Sequence, residues 1–285
     1  MAKHTKLKQE NLGYLLGTYV LLIGILLFLL FPLYWVLNTS FKTNMEAYRY
    51  PPTFFPHQPT GASFIKLFLQ HNQFFVYYRN NFIVSAAVAV LSCFVAIFTG
   101  YSLARFKNWW NKAIFATLLV SQMFPVISRM ISLYVIMGKL GIINTHFGLV
   151  FALLAAQAPF CIILMAGFYA NIPKEIEEAA MIDGSGRWKT LLSIVTPLVK
   201  SGLLAVGIYA FLMTWDDYLH AATLIQTDNL RTLSVGIALR YLGELSYDWS
   251  FVNAISIIGT IPVVLVFFFF QKYMVKGLVA GAVKG

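Results

Sequence analysis

Runs of apolar residues recur along the chain, separated by short segments where charge, proline and glycine collect. A helix crossing the hydrocarbon core of a bilayer needs about 20 largely apolar residues. Six runs meet that need, at roughly 14–37, 82–104, 113–137, 147–170, 198–219 and 251–273. They predict an all-α, polytopic membrane protein in which residues 1–285 form a single transmembrane domain. The first run is too long for a signal peptide and lacks a small-residue cleavage site, so it is expected to stay as an anchor. Within the runs, Pro32, Pro125, Pro159, Gly202, Gly207, Gly259 and Pro262 mark places where a helix can bend or open, and such irregularity is tolerated where it lines a cavity or is covered by protein.

Composition strengthens this picture. Hydrophobic residues make up 59% of the chain and charged residues only 11%, against about 25% charged in a soluble domain; the mean hydropathy is +0.72. The net charge of +10 does not imply nucleic acid, because the basic residues are scattered along membrane edges, where they suit anionic lipid headgroups. Cys93 and Cys161 both fall inside apolar runs and make neither a disulfide framework nor a metal site.

Lys and Arg accumulate on the cytoplasmic side of short loops. With the N-terminus inside, thirteen of the 21 fall on the inner side, among them Lys3, Lys6, Arg105, Lys107, Lys174, Arg187 and Lys272. Seven fall outside (Lys42, Arg49, Lys66, Arg79, Lys139, Arg231 and Arg240), and Arg129 lies within a run. Both termini are therefore expected in the cytoplasm, together with the segment 172–197.

That segment is the most informative. Pro173 suits a first helical position, and Glu175, Glu177 and Glu178 crowd the first turns, where the helix dipole favours negative charge. Lys174 stands one turn from Glu177 and Glu178. Ala179 and Ala180 offer a close-approach face, and Asp183-Gly184-Ser185-Gly186 supplies a turn in which φ > 0 is cheap. Arg187 to Val195 can form a second short helix before Pro197. The outcome is a helix-turn-helix knob outside the bilayer.

Glu178-Ala179-Ala180, then Gly184, then Ile194-x-x-Pro197 resembles the EAA loop of ABC importer permeases. Trp215-Asp-Asp-Tyr-Leu219 and the ending Gly277-Leu-Val-Ala-Gly-Ala-Val-Lys-Gly285 are similar to the smaller permease subunit of maltose-type carbohydrate importers. The resemblance implies a type I importer permease fold in a bacterial or archaeal plasma membrane, with a cytoplasmic tail at 274–285. It also implies as partners a second homologous permease, two ATP-binding subunits docked on the Glu178–Gly186 loop, and an extracytoplasmic solute-binding protein that delivers a sugar. The docking set is Glu178, Ala179, Ala180, Asp183, Gly184, Ser185, Gly186, Ile194 and Pro197. No GxxxxGK[ST] phosphate loop occurs in the sequence, so no cofactor is expected on this chain and ATP and Mg belong to the partners.

For the substrate path the candidates are Gln122, Phe124, Arg129, Trp215 and Asp216. Gln122 either hydrogen-bonds a sugar hydroxyl beside the Pro125 kink or bonds a neighbouring helix, while Phe124 offers a ring for stacking. Arg129 costs about 2.5 kcal/mol or more facing lipid at a span centre, so it either snorkels to the outer surface or meets an anionic sugar. Trp215 either anchors at the interface or borders the path; Asp216 stands where the family commonly has Asn. The outer segment 38–81, punctuated by Pro51, Pro52, Pro56 and Pro59, predicts a turn-rich cap. The segment 220–250 corresponds to a loop that reaches toward the binding protein in the resembled family. An ion-coupled secondary transporter would show an inverted repeat and intramembrane charges, and a membrane-embedded enzyme would show clustered acids, bases or ligands. His4, His57, His71, His146 and His220 have no paired spacing, and the acidic residues Asp216 and Asp217 point apart on a helix.

Overall fold

The computed structural model describes residues 2–242 and 248–282, and side chains within 14–242 and 248–271. No strand occurs among the described residues. The chain divides into two compact units, Met1–His71 with Tyr241–Gly259, and Asn72–Arg240 with Thr260–Gly285.

The first unit is built on α1 (Ala2–Ser40). Its apolar stretch, Tyr14–Ser40, has no part of its most apolar window buried within the protein, whereas the polar Asn38, Thr39 and Ser40 at its end are buried. A helix apolar all round and open on every side needs lipid around it. Past Ser40 the chain folds back in turns around the short α2 (Asn44–Ala47). Lys42 is buried; its Nζ donates to the Thr53 carbonyl at 2.6 Å and lies 4.9 Å above the Trp35 ring. Burial pushes the Lys42 ammonium below its ordinary pKa, against the opposing charge of Glu46. Glu46 Oε1 accepts from Thr53 Oγ1 and the His57 N–H. Apart from α2, turns hold only 41–61 of the segment 38–81 expected to be turn-rich; 62–70 and 72–81 are helical. α3 (Ala62–Gln70) follows, and its Lys66 pairs with Asp248 at 3.1 Å. Glu244, in the segment 220–250, lies outside the described residues.

The second unit is organised by α4 (Asn72–Arg105), which packs on α7 (His146–Ala170) and α11 (Lys200–Trp215). One apolar cluster includes Val84, Val88, Leu149 and Leu153; a second includes Ala96, Cys161, Met165, Val195 and Val206. Close approach depends on glycine at several places. A Cβ on Gly100 would stand 3.1 Å from the Ala166 nitrogen, and one on Gly202 would stand 2.4 Å from the Phe168 ring.

Among the described residues, four helices are long and apolar enough to cross a membrane, or up to six if each of two bent pairs counts as one span. The first pair is α5 (Trp109–Met123) with α6 (Val126–Lys139), bent by 110°. The bend falls at Phe124, whose φ −77° and ψ 131° are extended. Pro125 forces this, since its ring disfavours helical geometry in the preceding residue and removes an N–H. The other expected bends differ. Pro32, Pro159 and Pro262 lie inside α1, α7 and α14 (Trp249–Ala282), none of which ends at its proline, and Gly202 and Gly207 lie inside α11.

The second bent pair joins Arg187–Leu198 to α11 at 80°. Within it, α9 (Arg187–Lys189) leads into a π-helical stretch, Thr190–Val195, and then α10 (Thr196–Leu198). The second short helix therefore runs through Pro197 instead of stopping before it. Pro197 occupies the first turn of α10, where a missing N–H costs nothing, and the bend comes at Val199. Beyond α11 lie α12 (Leu219–Leu224), a 3₁₀ turn at Asp228–Leu230 and α13 (Leu233–Tyr241). α14 carries helix through 274–282, so most of the expected tail continues a helix, and 283–285 lie outside the described residues.

Candidate functional site

The knob is made by α8 (Glu175–Ile182) and α9. α8 begins two residues later than expected of a first-position proline: Pro173 lies outside the helix, and Lys174 is the cap residue. At the other end the chain makes a Schellman turn, in which the Ser185 N–H donates to the Ala180 carbonyl at 2.9 Å and the Gly184 N–H to the Met181 carbonyl at 3.1 Å. The motif needs a left-handed residue after the cap, and Gly184 supplies it at φ +82°. Gly186, at φ −68°, serves as an ordinary N-cap for α9. Thr190, nearly fully buried, donates from Oγ1 to Ser185 Oγ at 3.2 Å and ties the turn to the π stretch.

This geometry gathers most of the docking candidates around one concavity of about 540 Å³, lined by Ala179, Ala180, Asp183, Gly184, Ser185 and Ile194 together with Ile176 and Lys189. Ala179 is exposed and Ala180 buried, so one alanine faces outward while the other closes the floor. Glu178 is exposed on another side of α8, beside Tyr101, Lys174 and Arg187. Gly186 and Pro197 are exposed and are not part of the concavity's lining.

Beneath the knob lies an interaction that sequence reasoning missed. Glu177, only 7% exposed, is held by Arg105 Nε at 2.6 Å and by the Tyr101 hydroxyl at 2.7 Å. Arg105 Nη2 also donates to the Ile172 carbonyl at 2.9 Å. A buried charge must be paired and hydrogen-bonded, and here each Glu177 oxygen has its donor. The first-turn acidic residue is thus engaged by the end of α4, and Lys174 is not its ion-pair partner. The one available signal was Arg105 at the end of an apolar run, and nothing in its spacing names Glu177.

The substrate-path candidates occupy two places. Gln122 and Phe124 are exposed at the α5–α6 bend. Arg129 reaches back across that bend, its Nη1 lying 3.5 Å from the Ser121 carbonyl, while its buried Nε has no hydrogen-bond partner among the described residues. Trp215 and Asp216 end α11. Trp215 is 5% exposed, stacks on Phe211 with ring centroids 5.7 Å apart and meets Tyr78 edge-on; its carbonyl accepts from Asn81 Nδ2 at 3.1 Å. Asp216 is the exposed C-cap. Asp217 does more local work: its Oδ1 accepts the Ala221 N–H, and its Oδ2 lies 2.7 Å from His220 Nδ1, opening α12.

A strap at 226–231 is fastened to the same unit. Asn144, at φ +58°, accepts the N–H groups of Gln226 and Thr227 on Oδ1, both at 2.9 Å, and donates from Nδ2 to Thr227 Oγ1. His146 Nε2 lies 2.8 Å from the Leu230 carbonyl, which fixes Nε2 as the protonated nitrogen. Asp228 is gripped by the Tyr77 hydroxyl at 2.6 Å, Arg231 at 2.7 Å and Arg240 at 3.3 Å. Among the described residues, no group of three His, Cys, Asp or Glu is placed to hold a metal.

Residues 92–279 match the family model of the binding-protein-dependent transport system inner membrane component. The chain is 34% identical to the sulfoquinovosyl glycerol transport system permease protein SmoH of Agrobacterium fabrum, over 90% of this chain and 89% of that one. It is 31% identical to the trehalose/maltose transport system permease protein MalG of Thermococcus litoralis, over 90% and 92%. In fold it is similar to a chain of a bacterial ABC transporter involved in the import of the acidic polysaccharide alginate, with a TM-score of 0.79, 22% identity, and coverage of 90% of this chain and 95% of that one.

Proposed function

Because the chain belongs to the family of binding-protein-dependent transport system inner membrane components, we propose that it is the permease subunit of an ATP-driven importer of oligosaccharides. The observation that carries this reading is the knob: a short helix, a Schellman turn at Gly184 and an open concavity lined by small and polar residues, all inside the matched segment. Ala179, Asp183, Gly184 and Ser185 form the face that enters an ATP-binding subunit, and Glu178 pairs with a cation of that subunit. Both termini and the knob lie in the cytoplasm, in line with the Lys and Arg bias. A second homologous permease completes the pathway, and a solute-binding protein delivers the sugar from outside. When two ATP-binding subunits close on ATP they draw the knobs together and open the cavity outward; hydrolysis reverses this, giving alternating access. The chain itself catalyses no reaction, and ATP and Mg act in the partners.

The relatives named for sugars support the carbohydrate class. The test is ATPase activity of the co-purified complex in nanodiscs, with its binding protein, across neutral and acidic oligosaccharides. Stimulation by one sugar supports the importer and names its substrate class. ATP-binding subunits that co-purify but respond to no sugar would withdraw the carbohydrate assignment and leave the permease.

A second reading within the class, an acidic sugar, is favoured by Arg129, whose Nε at the α5–α6 bend is buried without a hydrogen-bond partner among the described residues. A hydrogen bond to a charged group is worth about 1.5–3 kcal/mol, so Arg129→Gln is expected to weaken uptake affinity for an acidic sugar by about 10-fold or more and to leave that for a neutral one unchanged. Equal affinities in wild type and variant would remove the acidic reading.

A further inference from the structure

The knob and the 226–231 strap are far apart in sequence, and a single helix is bonded to both. At its Arg105 end, α4 holds α8 through Arg105 and Tyr101 on Glu177. At its Asn72 end it holds the strap: the Tyr77 hydroxyl donates to Asp228 Oδ1, and Asn80 Nδ2 donates to the carbonyls of Asn229 and Arg231 at 2.8 and 3.1 Å. The 34 residues of α4, at about 1.5 Å each, make a rod about 50 Å long. Between the two joints Val84, Val88, Ala96 and Gly100 are buried, and the helix is unbroken by proline.

A continuous helix resists compression along its axis because every turn is closed by backbone hydrogen bonds, so a displacement imposed at one end is delivered to the other. Delivery requires joints that do not slip. The knob joint is a buried ion pair with both carboxylate oxygens occupied. The strap joint is also stiff, because the Tyr77 ring is pressed against Gly236, where a Cβ would stand 2.1 Å from it.

We propose that α4 is the connecting rod through which movement of the knob reaches the 226–231 strap, with Arg105–Glu177 and Tyr77–Asp228 as its two joints. This rests on the importer reading, since it assigns the knob's movement to ATP-binding subunits. Glu177 and Tyr77 are then positioning residues: neither touches substrate or nucleotide, and each acts through the helix. The strap keeps its own ion pairs when the rod is detached, because Arg231 and Arg240 still hold Asp228.

The experiment compares wild type, Glu177→Gln, Tyr77→Phe and the double variant in the full complex with its ATP-binding subunits. Two quantities are read: the fold-stimulation of ATPase by loaded binding protein, and the ATP-dependent change in hydrogen exchange at the Gln226 and Thr227 amides. Each single variant is expected to keep its ATP-binding subunits and to hold basal ATPase within about twofold, yet to lose stimulation by about fivefold or more. Two joints in series fail as one, so the double variant is expected to be no worse than either single variant. In Glu177→Gln the exchange at 226 and 227 is expected to stop responding to ATP.

An ATP response at 226 and 227 that survives in Glu177→Gln would overturn the rod, as would additive losses in the double variant. Loss of the ATP-binding subunits from Glu177→Gln would reassign Glu177 to docking and equally overturn it. A wild-type chain that no ATP-binding subunit joins would instead sink the importer reading itself, an outcome distinct from a stimulated wild type with unaffected variants.

Discussion

The knob at 172–197 and the strap at 226–231 are both polar, irregular pieces of one unit, and distant side chains reach both, yet the knob's turn is closed in a different way from the strap. The knob's turn is closed by its own backbone, with donors and acceptors three to five residues apart, and its side chains are left mostly exposed. The strap is closed by side chains of Gln73, Tyr77, Asn80, Asn144 and His146, brought from 82 to 156 positions away. A segment that satisfies its backbone locally can leave its surface free for another chain. A segment satisfied by distant side chains is committed to its own fold.

The largest effect expected from breaking this contrast is at Gly184. Gly184→Asp places a side chain at φ +82°, a region that costs a non-glycine residue about 1–2 kcal/mol, and adds charge to the concavity. Membrane levels should stay near wild type while uptake falls at least 10-fold with ATP hydrolysis running uncoupled; normal uptake by vesicles would refute the docking role. Asn144→Ala attacks the strap, leaving the Gln226 and Thr227 N–H groups without their acceptor. A loss of about 1–3 kcal/mol is expected, visible as a lower Tm in detergent, and an unchanged Tm would show that water replaces the side chain. The smallest effect on stability sharpens the contrast from the other side. Glu178→Ala removes an exposed carboxylate and should shift stability by less than about 0.5 kcal/mol, while retention of ATP-binding subunits during purification drops. A large fall in Tm there would mean that Glu178 serves the fold.

What could be read in the sequence follows the same division. Apolar runs, the Pro125 bend and the Gly184 turn are local: each depends on residues within a few positions, so composition and spacing disclose them. Pro32, Pro159 and Pro262 show the limit, because whether a proline breaks a helix depends on what surrounds it. Trp215 carried two sequence readings, interface or path; its burial on Phe211 and Tyr78 depends on α4 lying beside α11, which no local pattern encodes. Arg105 with Glu177, and Tyr77 with Asp228, are pairings across long stretches of chain. They arise only once the helices are packed.

The π-helical stretch Thr190–Val195 has a consequence of its own. Such a stretch holds one more residue than an α-helical path between the same ends, so it behaves as a built-in insertion. One residue of α-helix corresponds to about 100° of rotation. Removing a single exposed residue there, Ser193, would let the run Arg187–Leu198 close as plain α-helix between the same ends, so α9 and the knob would keep nearly the same rotational setting relative to α11. The wider turn thus takes up the rotation that one extra residue of plain α-helix would impose, and the face the knob presents is shielded from a one-residue change of length six positions downstream of its turn.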